Sequence, residues 1–98
     1  MKLIIDPEVH SDVLGAMEFY ERVAGSLLAV EFHEEFHSVI QKVIRQPRAF
    51  SVRQENVRRA NFPRFPFNLL YRLLDYSTIR ILAVRHDSRE PSFGIDRV

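Results

Sequence analysis

The chain has no cysteine, which excludes disulfides and zinc–thiolate sites and suits a reducing, cytoplasmic setting. No apolar run approaches the roughly 18 residues that cross a bilayer, so no membrane role is expected. The opening Met1-Lys2-Leu3-Ile4-Ile5-Asp6 breaks its apolar run after three residues and lacks a small-residue cleavage site, so a secretory signal is not expected either. Internal repeats and low-complexity tracts are absent. Lysine is scarce: Lys2 and Lys42 are the only two, and neither lies in the second half.

What is present is arginine, unevenly placed. Residues 1–44 set three basic side chains against eight acidic ones, a net charge of −5, whereas residues 45–98 set eleven arginines against five acids, a net +6. The overall +1 conceals an acidic half and a basic half. Arginine offers a planar fork for carboxylates, phosphates and bases that lysine does not, so an acidic polypeptide or a nucleic acid is the partner such a half would suit. Ninety-eight residues, 46% hydrophobic and 28% charged, make one soluble globular domain with one modest core.

Lys2 to Ile5 reads as a first strand, and Asp6-Pro7-Glu8 as a helix start with an N-cap, a first-turn proline and a first-turn acid. Val9, Val13, Ala16, Met17, Tyr20, Val23 and Ala24 follow as one stripe of a 3.6-residue period. Gly25 interrupts it, and Ser26 is placed to cap a second helix whose stripe is Leu28, Phe32, Phe36, Val39, Ile40, Val43 and Ile44. Pro47 stops that helix, because the residue before a proline is driven out of the helical region. Two such helices need a sheet to cover them. Arg48 to Asn56 reads as a loop. Val57 to Asn61, Phe67 to Leu74 and Ile79 to His86 read as strands, with a bend at Phe62-Pro63-Arg64 and a turn over Asp75 to Thr78. The tail from about Asp87 is expected to be extended.

The last hairpin allows an assignment of faces. If Leu74 pairs with Ile79, then Tyr71 opposes Leu82, and Phe67, Leu69, Tyr71, Leu73, Leu82 and Val84 lie beneath the helices with Arg80 and His86 near the ends. Asn68, Leu70, Arg72, Leu74, Ile79, Ile81, Ala83 and Arg85 then form an open face. A shift of one residue would exchange the faces.

A short strand, an acidic helical hairpin, the Arg58-Arg59 strand, the Arg64-Phe65-Pro66-Phe67 entry into a Leu/Tyr-rich strand, and Ile81-Leu82-Ala83-Val84 ending in His86 before Arg89 and Pro91 together resemble the RelE/ParE toxin superfamily, over nearly the whole chain. The resemblance implies a single α+β domain spanning residues 1–98, with an antiparallel sheet of about four strands packed on an N-terminal two-helix hairpin in the order βααβββ. It implies the toxin of a type II toxin–antitoxin, or plasmid stabilisation, system, inhibiting growth unless a cognate antitoxin wraps it. A homodimer and a hetero-oligomer with the antitoxin are both compatible. RelE-like relatives cut mRNA on the ribosome, and ParE-like relatives are described as inhibiting DNA gyrase. Here the second half lacks lysine, Asn68 stands near the strand arginine of the nucleases, no tyrosine follows Tyr76, and Phe93 replaces the tryptophan of many relatives. The chain therefore resembles the ParE branch more.

Arg59, Arg64, Arg72, Arg85 and Arg89 are the candidates for contact with a target or antitoxin. The alternative, a ribosome-dependent mRNA endonuclease, would use Arg59, Arg72, Arg85, His86 and Arg89, with His86 as acid or base. A further alternative is an interaction module without toxicity. His33-Glu34-Glu35-Phe36-His37 matches the zincin pattern literally, but no third ligand is evident, so no metal and no cofactor are expected.

Overall fold

In the computed structural model, which describes residues 1–97, strand β1 (Lys2–Ile5) passes into helix α1 (Glu8–Ala24) through Asp6 and Pro7. The Asp6 carboxylate accepts the Glu8 backbone N–H at 2.9 Å, while Pro7 already has helical angles, so the expected capping chemistry starts the helix. Gly25 alone, at φ +95° and ψ 170°, reverses the chain into α2 (Ser26–Arg45), a conformation open only to glycine. Ser26 does not cap α2; it is the first helical residue, and its side chain makes no capping bond. The helix ends as Gln46 turns away before Pro47.

Strands β2 (Arg58–Asn61), β3 (Phe67–Asp75) and β4 (Thr78–His86) follow, giving the order βααβββ. The sheet order is β1-β4-β3-β2. Its last three strands are antiparallel, but β1 lies parallel to β4, so the sheet is mixed. A strand separated from its neighbour by a helical crossover can arrive in that direction, whereas a tight hairpin cannot provide it.

Phe32 forms the centre of the core beneath the helices, with rings of Tyr20, Phe62, Phe65 and Phe67 at 4.9–5.8 Å. The Arg-Phe-Pro-Phe segment is thus built for packing: both phenylalanines reach Phe32 across the bend. Val9, Val13 and Ala16 from α1, and Phe36, Val39, Ile40 and Val43 from α2, complete this core against Leu69, Tyr71, Ile79, Ile81 and Val84. The predicted stripe fails at the turn end of the hairpin, where Val23 and Ala24 are exposed.

The predicted register holds from Phe67 opposite His86 to Leu70 opposite Ala83, then slips. Tyr71 opposes Ile81 rather than Leu82, Arg72 opposes Arg80, and the register recovers at Asp75 opposite Thr78. Leu82 and Leu74 are the extra residues of two compensating bulges. Between them the faces of β4 exchange. Ile79 and Ile81 go under the helices, Leu82 goes to the other face, and Arg80 turns to Asp6 at 3.0 Å.

Because β1 pairs only with Thr78 to Ile81, the outer edge of β4 beyond Ile81 would be bare. Asp12 from α1 and Arg97 from the tail close it. The Asp12 carboxylate accepts the Val84 N–H at 3.0 Å, Arg97 donates to the Leu82 carbonyl at 3.1 Å, and the two side chains pair at 2.6 and 3.2 Å. The hydrogen bond that Arg97 donates to Asp12 dominates in raising the Arg97 pKa above its usual value.

Removing one member of this half-hidden pair strands the other, so Arg97→Ala is expected to cost about 3–5 kcal/mol, measured by urea unfolding. Tyr71 is fully buried and donates to the Pro47 carbonyl at 2.6 Å, and burial pushes its pKa up to about 12, against the pull of Arg58. Its neutral form belongs to the folded state. The stability this gives is complete below pH ~10, the unfolded value, and is lost as pH rises toward about 12. Tyr71→Phe should cost about 1 kcal/mol near neutrality and flatten the alkaline decline, read from unfolding midpoints across that range.

Candidate functional site

The second face of the sheet is not open. Pro91 to Arg97 fold across it as a run of turns, joined by Phe93 N–H to the Glu90 carbonyl, Ile95 N–H to Ser92 and Arg97 N–H to Gly94. The expected extended tail is therefore a compact strap. Ile95 buries against Val57, Leu70, Leu82 and Ala83 to form a second small core. Gly94 permits this approach: it sits at φ +80°, and a β-carbon there would lie 2.5 Å from that of Ala83.

Two of the candidate arginines hold the strap. Arg85 is buried, donating through Nε to Asn68 Oδ1 at 3.1 Å and through Nη1 to the Pro91 carbonyl at 2.6 Å. Arg72 donates through Nε to the Glu55 carbonyl and through Nη2 to the Ile95 carbonyl, both at 3.2 Å. Asn68 orients Arg85 and donates to Asp87 at 2.9 Å.

Beside the strap, Val57, Leu70 and Ile95 floor a cleft of about 500 Å³ whose rim carries Arg53, Arg59 and Arg85. Arg53 arrives because the loop after α2 folds back on β2: Arg53 N–H donates to the Val57 carbonyl at 2.7 Å, and Arg59 N–H donates to Ser51 at 3.1 Å. Arg59 bonds Asn61 at 2.9 Å and lies 3.6 Å from Asp87. Burial, and next the charge of Arg59 with a further push from Arg53, lower the Arg85 pKa, with Asp87 and Glu90 opposing. The rim therefore holds more positive charge than its own acids neutralise, and an anion entering it would relieve the repulsion.

The other candidates lie elsewhere. Arg64 is on the helix side, 3.6 Å from Glu31 and 3.5 Å from Glu35. Arg89 is exposed, its guanidinium 4.1 Å from the centre of the Phe93 ring. His86 is on the face opposite Arg85: its ring packs edge-on to Phe67 at 5.2 Å, beside Ala16 and Tyr20, and its Nδ1 accepts the Ser88 N–H at 3.0 Å. The sheet thus separates His86 from Arg85, and the five residues of the nuclease alternative are not gathered into one site. Arg53, which sequence reasoning left in a loop without period, belongs to the rim; only the bridge between Val52 and Arg58 carries it there. Among the described residues no group of three or more His, Asp or Glu is placed to hold a metal, and no helix is long and apolar enough to cross a membrane.

A two-helix hairpin on a four-stranded mixed sheet, with arginines on the sheet's far face, defines a small α+β domain. The model of the family described as the ParE toxin of the type II toxin–antitoxin system, parDE, matches residues 3–91, and the chain belongs to that family. Among solved structures it is similar to a chain of a chromosomal ParDE toxin–antitoxin system from P. aeruginosa, at 18% identity and a TM-score of 0.77, covering 88% of this chain and 95% of that one. That likeness is one of fold. No curated protein sequence matches it.

The arginines divide into two functional kinds that mutation should separate. Arg85→Ala leaves Asn68 and the Pro91 carbonyl unsatisfied and should cost about 2–4 kcal/mol while exposing the strap to protease. Arg53→Ala, on the solvent side of the same cleft, should change stability by no more than about 0.5 kcal/mol. Thermal unfolding with limited proteolysis reads both.

Proposed function

We propose that this chain is the toxin of a type II pair that acts by binding, inhibits DNA gyrase in the cytoplasm, and is held inactive by a cognate antitoxin. The observation that carries this reading is the composition of the cleft. Metal-independent cleavage of RNA needs a group to take the ribose 2′-OH proton, cations for the phosphorane charge and an acid for the leaving oxygen. The rim supplies cations, and the histidine of the nuclease alternative, His86, faces the opposite side of the sheet. A binding surface asks only for charge and an apolar floor, and both are present. Guanidinium groups over Val57, Leu70 and Ile95 suit an acidic chain that also offers apolar side chains, as a wrapping antitoxin segment would.

Induced expression should arrest growth, and co-expression with the neighbouring antitoxin gene should restore it. In a purified assay the protein should block gyrase supercoiling and leave mRNA on translating ribosomes intact. Reversing Arg53 to Glu should weaken gyrase inhibition at least about tenfold, which is roughly 1.4 kcal/mol, without lowering the melting temperature. Cleaved mRNA with normal supercoiling would replace this reading with the nuclease one; a growth-neutral chain that elutes alone would leave only the interaction module.

A further inference from the structure

His33 and His37 stand one turn apart on the same face of α2, with ring centroids 4.6 Å apart. His33 is half-buried and His37 exposed. Among the described residues only His86 of the four histidines has a hydrogen-bond partner, so both α2 rings keep their nitrogens for solvent. Their facing is fixed by the core. Phe32 and Phe36 on the buried side of the helix set its rotation, and the Phe36 ring lies 6.3 Å from His33 and 5.5 Å from His37. Glu34 is exposed between them without an ion pair, whereas Glu31 and Glu35 are engaged by Arg64.

We propose that His33 and His37 form a two-imidazole chelate for a divalent transition metal of the copper, nickel and zinc group, with water filling the remaining positions. Residues four apart on a helix present neighbouring ligands, and neutral imidazole suits these ions above calcium or magnesium. The literal zincin pattern then has a different meaning from its catalytic one. A catalytic zinc needs three protein ligands, and here there are two, so the site holds a metal without activating a hydrolytic water for a bound peptide. The acidic residues around the pair favour a cation. Clamping a turn of α2 favours the folded state, because the unfolded chain does not hold the two rings in register. This site lies on the helix layer and does not depend on the toxin reading.

The test is calorimetric titration of the full chain, free of any affinity tag, with copper(II), nickel(II) and zinc(II) chlorides in turn at about pH 7.5. One ion per chain is expected, copper binding tightest, with a rise of a few degrees in melting temperature at saturation, of the order mass action gives. His33→Ala and His37→Ala should each weaken binding at least about tenfold, while His10→Ala and His86→Ala leave it unchanged. Melting curves in chelator show that each variant is folded. Equal affinity in the wild type and in either α2 variant, or no stoichiometric binding by the wild type, would overturn the proposal.

Discussion

The pairing of Asp12 with Arg97 ties together three parts of the molecule: α1, the bare half of the β4 edge, and the chain's last turns. An ion pair taken from water usually gains little net free energy, since desolvation offsets the attraction. Here each partner also satisfies a strand group, one a backbone N–H and the other a carbonyl, so the pair does what a further strand would have done. Once Arg97 is fixed, the residues before it must cross the second face of the sheet, and Ile95 has its apolar floor. The cleft exists because that strap forms one of its walls.

The arginines of the basic half are therefore of two kinds. Arg72, Arg80, Arg85 and Arg97 are internal fasteners, each bonded to a backbone carbonyl or a carboxylate that the fold brings to it. Arg53 and Arg59 remain at the surface, where their charge is available to a partner. Guanidinium serves both uses because it is weakly hydrated and donates in a plane, so it can be taken into a protein interior at less cost than an ammonium group. A basic composition thus overstates the basic surface.

Much of the architecture was legible in the residues. Helix limits followed from Asp6-Pro7, Gly25 and Pro47, and strand limits from aromatic and β-branched runs, because these are local steric and hydrogen-bonding choices. The parity of the β3–β4 hairpin was correct at its open end and wrong in its middle. The bulge at Leu82 arises from packing on both faces at once: Leu82 fills the second core with Ile95, while Ile79 and Ile81 fill the first. No reading of β3 and β4 alone could contain that second demand.

Of the candidate site, the sequence determined that the second half would be rich in arginine, that lysine and late tyrosine would be missing from it, and that the fold would follow the βααβββ order. These are matters of composition and local periodicity. Only the tertiary structure decided which arginines line the cleft, that His86 is divided from Arg85 by the thickness of the sheet, and that Arg53 joins the rim. Those outcomes depend on contacts between residues tens of positions apart, whose energies are set by burial and by which backbone groups are left without partners.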